Sequence, residues 1–396
     1  MLEAIQSAPP DAILGLTEAF RKDPNPAKIN LSVGIYQDET GATPILESVQ
    51  QASRQVLANQ QSKTYLPIDG APAYATAVQR LIFGPESEVV TTGRAATSHT
   101  PGGTGALRVA ADFIKQNLPA ATVWLTKPTW PNHPNIFAAA GVPTRSFPYF
   151  DSTTQGMAFA QALNVIQEIP AGDVILMHGC CHNPTGIDPT TAQWSQFVKV
   201  VSERGVLPLL DFAYQGFAAG LEEDAAGLQT FCRPGCELLI CSSFSKNFGL
   251  YRERVGALTV VVASHEMVDR VQSQIKRCIR TNYSNPPAHG AALVTTILED
   301  PKLTAQWHGE VAGMRDRINK TRKALVKTLA AKGAPADYSF MAMQRGMFSF
   351  SGLTAEQVDT LREKYAIYIV RSGRINVAGI TPHNIEPLCE AIAQVS

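Results

Sequence analysis

Ser242-Ser243-Phe244-Ser245-Lys246-Asn247-Phe248-Gly249-Leu250-Tyr251-Arg252-Glu253-Arg254-Val255-Gly256 is the stretch from which the rest of this chain can be read. It follows Cys236-Glu237-Leu238-Leu239-Ile240-Cys241, an apolar run of the length of a buried strand. Lys246 therefore stands just past a strand end, among small hydroxyl residues and ahead of a glycine turn. A lysine so placed is partly desolvated, which disfavours its charged form and lowers its pKa. Such an amine can attack a carbonyl carbon and form a Schiff base. A lysine on a solvated loop does none of this, so the company it keeps decides between the two readings.

Outward from that stretch, apolar strands alternate with helical segments from about residue 45 to 310, the pattern of an α/β sheet covered on both faces. The clearest strands are Val123–Thr126, Val174–Met177, Val206–Leu210, Leu238–Ile240 and Leu258–Val262. Pro208 belongs at a strand start or edge, because proline cannot donate to a ladder. Helices are expected at Ala12–Phe20 with Asp11 as cap, at Pro44–Leu57, and at Pro301 to about Ala331. Ile29–Gly34 reads as a short strand, and Pro9-Pro10 closes an extended arm. Beyond the long helix, Met347–Phe350, Thr354–Lys364, Tyr368–Val370 and Pro382–Val395 alternate strand and helix in a smaller unit.

Composition narrows the function classes. With 396 residues, two domains are the default expectation. Lys plus Arg and Asp plus Glu are both 34, a net charge of zero that speaks against nucleic acid or an anionic membrane as partner. The seven cysteines are scattered through a long chain, which suits reduced thiols in the cytoplasm better than a disulfide framework. Met1–Gln6 has no basic start or apolar core, so no signal peptide is expected. No window approaches the ~18 apolar residues of a membrane span.

Four further segments hold candidate chemistry. Pro101-Gly102-Gly103-Thr104-Gly105-Ala106-Leu107-Arg108 is a glycine-rich turn opening a helix, where free backbone N–H groups suit a phosphate. It is neither a Walker loop nor a dinucleotide fingerprint, because Arg108 stands where the third glycine would be. Leu209-Leu210-Asp211-Phe212-Ala213-Tyr214 puts a carboxylate at the end of an apolar strand, where open α/β sheets bind ligands; a helix cap is the plainer reading. His178-Gly179-Cys180-Cys181-His182-Asn183-Pro184-Thr185-Gly186 is dense in metal-ligating types. Ligands so close along an extended segment would point to opposite faces, however, and no metal is expected. Trp130, in Lys127-Pro128-Thr129-Trp130-Pro131-Asn132-His133, is a core residue or a flat stacking surface.

Ser243-x-Ser245-Lys246 with Arg254 eight residues on resembles the pyridoxal-phosphate lysine segment of class I aminotransferases, in particular the aspartate and aromatic amino acid subgroup. The matching segments run from Leu31 to Gly379. The resemblance implies a fold-type I transferase: a large domain with a mostly parallel sheet flanked by helices, and a smaller α/β domain. Its implied boundaries are an arm at 1–12, small-domain parts at 13–44 and 314–396, and a large cofactor-binding domain at 45–313. It implies pyridoxal 5′-phosphate bound through Lys246, with its phosphate on Gly102, Gly103, Thr104, Ser243 and Arg254. By the same resemblance Asp211 meets the pyridine nitrogen with His133 behind it, Trp130 stacks on the ring, and Asn183 and Tyr214 address the phenolic oxygen. Arg374, in Ser372-Gly373-Arg374-Ile375-Asn376, would take the substrate α-carboxylate and Arg280 the distal carboxylate of a dicarboxylic substrate. Arg280, Tyr65 and Ser284 would reach the site from the neighbouring subunit of a homodimer with shared active sites. Val33, Gly34 and Phe348 would line the substrate pocket. The implied reaction moves the amino group of aspartate, and of aromatic amino acids, to 2-oxoglutarate by a ping-pong aldimine and ketimine course, Lys246 carrying the proton. Tyrosine or phenylalanine as main donor is the alternative. Gln37 and Phe244 are mild departures that disturb no assigned role.

Two competing classes are weaker. Ser243-x-x-Lys246, Tyr283-x-Asn285 and Arg371-Ser372-Gly373 imitate the signatures of serine β-lactamases, but the third match is imperfect and the topology differs. A cofactor-binding regulator would be expected to carry a DNA-binding extension, and no basic helix-turn-helix segment is present.

Overall fold

The computed structural model describes residues 2–7 and 13–396 and divides into two units, Pro44–Arg317 and Met1–Thr43 with Ile318–Ser396. The Pro9-Pro10 arm, the Asp11 cap and the helix start at Ala12 lie outside the described residues; the first helix is described over Leu14–Lys22.

In the larger unit, β1 (Ala95–Pro101), β2 (Val123–Lys127), β3 (Thr144–Pro148), β4 (Val174–His178), β5 (Leu207–Phe212), β6 (Leu238–Ser243) and β7 (Val255–Val261) form one sheet in the order β1-β7-β6-β5-β4-β2-β3. Only β7 runs antiparallel to its neighbours. A parallel sheet has to be covered on both faces, and its central strands are accordingly apolar throughout: every residue of β4 is buried. Leu107, Phe113 and Ile114 of α1 (Gly102–Asn117) and Ile275 and Ile279 of α2 (Val268–Asn282) pack in one cluster with Val123, Leu125, Leu176, Leu209, Leu239 and Leu258. Pro208 is the second residue of β5, beside Ile175, at the start of an inner strand rather than at a sheet edge.

Two strands escape a reading based on apolar runs. β1 carries Thr97, Ser98, His99 and Thr100, all buried. Its polar groups are partly satisfied by protein: Thr97 Oγ1 lies 3.0 Å from Thr259 Oγ1, and Gln272 Nε2 donates to Ser98 Oγ at 2.9 Å. β3 is half exposed at the sheet edge. The helix expected from Pro44 begins at Glu47, where Glu310 accepts from the backbone N–H groups of Glu47 (2.8 Å) and Ser48 (3.2 Å) and so caps the first turn.

The smaller unit pairs Ile29–Asn30 in parallel with Ile367–Tyr368, and Phe348–Phe350 antiparallel with Arg374–Asn376. Its core gathers Leu31, Leu325, Leu329, Met341, Leu361, Ile375, Leu388 and Ile392. The strand expected over 29–34 stops at Asn30. Past it, Asn376 Nδ2 donates to the carbonyls of Val33 (2.7 Å) and Ile35 (2.9 Å), so a side chain replaces a ladder partner. Thr354 starts the helix Ala355–Tyr365 through a capping box with Gln357. The helix Pro301–Ala331 has the expected extent. Among the described residues no helix is long and apolar enough to cross a membrane.

Candidate active site

The carboxyl ends of β4, β5 and β6 carry His178, Asp211 and Ser243, and parallel strands bring such ends to one edge of the sheet. Asp211 is buried, with Oδ2 3.0 Å from His133 Nε2; His133 Nδ1 is 2.7 Å from Thr129 Oγ1. A carboxylate only accepts, so Nε2–H of His133 donates to it, and in the neutral ring Nδ1 accepts the Thr129 hydroxyl hydrogen. Burial alone would raise the Asp211 carboxyl. The His133 hydrogen bond and nearby positive charge, Lys246 included, together outweigh it and hold the group below its ordinary value. Trp130 meets the His133 ring edge-on, with centroids 5.3 Å apart.

Lys246 Nζ lies 4.6 Å from the centroid of the buried Tyr214 ring. Asn183 is buried on the loop after β4. That loop is held by Asp188, whose carboxylate accepts from the backbone N–H groups of Cys181 (2.7 Å) and His182 (2.8 Å). The loop is not the extended segment assumed from sequence. Cys181 turns the chain with φ +51°, and the rings of His178 and His182 meet at 4.3 Å. Ligand atoms of His133, His178 and Asp211 fall within 4.8 Å of one another, although the His133–Asp211 bond already occupies part of that set. Burial first, then the proximity of His133, pushes the His178 imidazole down to about 3. Its two nitrogens have no hydrogen-bond partner. His182 is also pushed down, by burial; it is held between Thr126 (3.0 Å) and Thr185 (2.8 Å) and stacks on Tyr149 at 3.9 Å. His133 and His178 thus stand beside Asp211, with His182 packed behind His178.

The glycine-rich turn forms a cradle. α1 starts at Gly102 with no side-chain cap, leaving first-turn N–H groups free for an anion. Gly102 has φ +72°, and a Cβ there would stand 2.6 Å from Arg254 Nη2. A Cβ on Gly103 would stand 3.0 Å from Ser243 Cβ. Arg254 Nη1 donates to Ser245 Oγ (3.4 Å) and to the Tyr251 carbonyl (3.3 Å), and Ser243 Oγ donates to Ser245 Oγ (3.3 Å). Thr104 is exposed in the same first turn. One guanidinium, three hydroxyls and uncapped amides make a donor set that fits a phosphate. Ser245 joins this set unforeseen, although it stands directly before Lys246 in the opening stretch.

In the smaller unit, Arg374 is buried with Nη2 donating to the Ser32 carbonyl at 2.6 Å and its guanidinium 4.0 Å over the Phe348 ring. Gly34 presses on that same ring, since a Cβ would stand 2.6 Å from Phe348 Cζ. In the larger unit Arg280 and Tyr65 are exposed and Ser284 is half-buried. Arg280 donates to Ser284 Oγ, and Asn285 Nδ2 donates to the Leu66 carbonyl (3.1 Å), next to a Tyr65 that is 92% exposed.

Residues 26–392 match the family model described as aminotransferase class I and II. The chain is 54% identical over 395 residues to the aspartate aminotransferase of Escherichia coli (strain K12), covering 100% of both sequences. It is 45% identical over 391 residues to the aromatic-amino-acid aminotransferase of Pseudomonas aeruginosa, covering 99% of this chain and 98% of that one. Among solved structures, the aromatic-amino-acid aminotransferase of Burkholderia pseudomallei covalently bound to pyridoxal phosphate is similar with a TM-score of 0.97 and 46% identity, over 100% of this chain and 99% of that one.

Proposed function

Because this chain belongs to the class I and II aminotransferases, we propose that it is a transaminase that uses pyridoxal 5′-phosphate to move the amino group of aspartate to 2-oxoglutarate and also accepts aromatic amino acids. The observation that carries the reading is a buried Asp211 kept ionised by His133, within reach of the Lys246 charge. Bound pyridoxal phosphate supplies a carbonyl that links to an amine and a ring that takes up electron density from the amino acid Cα. Asp211 holds the proton on the pyridine nitrogen. Gly102, Gly103, Thr104, Ser243 and Arg254 grip the phosphate, with Ser245 behind Arg254 Nη1. Trp130 covers the ring, and Asn183 and Tyr214 donate to its phenolic oxygen. Lys246 Nζ takes the proton from Cα of the amino donor.

Arg374 takes the α-carboxylate through paired N–H donors, with Phe348 supporting its guanidinium. Arg280 takes the distal carboxylate in the site of the neighbouring subunit of a homodimer, joined there by Tyr65 and Ser284. The neutral net charge and cysteine usage fit a cytoplasmic enzyme of small amino and 2-oxo acids.

Lys246→Ala tests the assignment: turnover and the visible absorbance of the lysine-linked cofactor should both vanish, and a variant that keeps both refutes it. Comparing kcat/KM for aspartate, tyrosine and phenylalanine against 2-oxoglutarate should rank aspartate first. Tyrosine or phenylalanine ranked above it would make the aromatic activity the main one.

A further inference from the structure

Asp188 has no part in the chemistry above beyond holding the loop after β4. That strand ends at His178, and the next helix, Thr191–Glu203, is capped by Thr190. Between them run Gly179-Cys180-Cys181-His182-Asn183-Pro184-Thr185-Gly186-Ile187-Asp188-Pro189. A connection of that length without internal support has many conformations in which to present Asn183, and selecting one costs entropy.

The half-buried Asp188 carboxylate supplies the support. Its Oδ2 accepts from Cys181 N–H at 2.7 Å and its Oδ1 from His182 N–H at 2.8 Å. Two successive N–H groups around a residue of positive φ form a concave site for an anion, and Cys181 has φ +51°. Both bonds have an ionised acceptor, which makes them the stronger kind. The second amide belongs to the residue directly before Asn183. From there the turn closes on itself. Gly186 N–H donates to the His182 carbonyl at 2.7 Å, and Thr185 Oγ1 lies 2.8 Å from His182 Nδ1 and accepts from Ile187 N–H at 3.2 Å. Tyr149 braces the far end: its hydroxyl donates to the Ile187 carbonyl at 2.7 Å while its ring stacks on His182. Burial, and then the Asp188 charge, push that hydroxyl well above its ordinary value, so it keeps its proton.

We propose that Asp188 is a positioning residue for Asn183, its carboxylate holding the Cys181 and His182 amides so that the buried Asn183 side chain faces the phenolic oxygen of bound pyridoxal phosphate. The proposal rests on the assignment of Asn183 to that oxygen. A donor there draws off negative charge and weakens the oxygen's hold on the proton of the lysine-linked nitrogen, so the proton leaves at lower pH. Releasing the loop should undo this and raise the pH at which the proton leaves. Removing the Asp188 charge without moving Asn183 would act in the opposite direction, because an anion favours the protonated, cationic nitrogen. The sign of the shift therefore separates positioning from direct electrostatics.

The test is a pH titration of the visible absorbance of the cofactor-loaded protein, with urea melts alongside. Asn183→Ala should raise the midpoint by about one pH unit. Asp188→Ala should raise it by about half a unit or more, and the milder Asp188→Asn, which keeps one acceptor oxygen, by less than Asp188→Ala. The double variant Asn183→Ala with Asp188→Ala should go no higher than Asn183→Ala alone, since the two act through one contact. A midpoint that rises in Asn183→Ala but stays or falls in both Asp188 variants overturns the proposal and leaves the Asn183 assignment standing; a loss of urea stability alone is then all that Asp188 contributes. A midpoint unmoved in Asn183→Ala refutes the assignment itself, and the proposal falls with it. Shifts that add in the double variant overturn the proposal as well.

Discussion

Gly102→Ala tests the phosphate cradle, because its two costs separate. The first is conformational: Gly102 sits at φ +72°, where a side chain costs about 1–2 kcal/mol. The second is a collision. The new Cβ would stand 2.6 Å from Arg254 Nη2 and 3.0 Å from its Cζ, and ordinary contact begins at 3.4 Å, so the guanidinium has to retreat by about 0.8 Å. The backbone has little room to share that movement. Arg254 is itself at φ +55°, and Val255 is the first residue of β7, paired with Pro101 and accepting from Phe244 N–H at 3.0 Å. A hydrogen bond lengthened by that much is no longer one, and a charge-assisted bond contributes about 1.5–3 kcal/mol. Pyridoxal phosphate affinity should therefore fall about 10- to 150-fold.

Gly333→Ala is the control, with φ +70° and nothing within 4 Å of the added carbon. Both variants should lose about 1–2 kcal/mol in urea unfolding of the cofactor-free protein, but only Gly102→Ala should weaken cofactor binding in a fluorescence titration. Binding by Gly102→Ala within twofold of wild type refutes the cradle.

Two further perturbations follow from the same packing. His99 is buried beside the Tyr74 ring (4.7 Å), both its ring nitrogens lack partners, and burial pushes it down to about 4. The folded state thus keeps it neutral while the unfolded chain binds a proton below about 6.5, so stability falls as pH drops from 6.5 towards 4. Between pH 7 and 5 this costs about 2 kcal/mol; His99→Gln should remove that part of the pH dependence in urea melts, and an unchanged difference between the two pH values refutes it. Gly34→Ala drives a Cβ to 2.6 Å from Phe348 Cζ and tilts the ring under Arg374. With a cation–π contact of about 1 kcal/mol at stake, KM for aspartate should rise about fivefold with kcat little changed, and an unaltered KM counts against Arg374 as the carboxylate ligand.

What could be read from sequence was whatever depends on neighbours along the chain. The apolar cores of β4, β5 and β6 announce themselves because parallel strands are buried on both faces, and Asp211 and Lys246 stand out because each interrupts or follows such a run. β1 stayed hidden because its burial is compensated by hydrogen bonds from Thr259 and Gln272, far away in sequence. The strand after Ile29 was overextended for a similar reason: Asn376 takes the carbonyls of Val33 and Ile35. The contact between His178 and His182 was not legible because an extended segment would hold residues four apart about 13 Å from each other, whereas the chain turns at Cys181, φ +51°, and the rings meet. Ser245 was passed over because its role appears only once Arg254, nine positions on, folds back to it.

His133 and His178 also bear on how Asp211 could serve the proposed cationic ligand. A buried carboxylate surrounded by cations would spend its charge on them, and one with no donors would take up a proton. His133 gives it a hydrogen bond through Nε2 while Thr129 fixes the ring from the other side. His178, at about 3, stays neutral throughout the physiological range, so no imidazolium from β4 competes for the carboxylate. The acid therefore stays ionised although it is buried, which is the condition the proposed pairing with a protonated pyridine nitrogen needs.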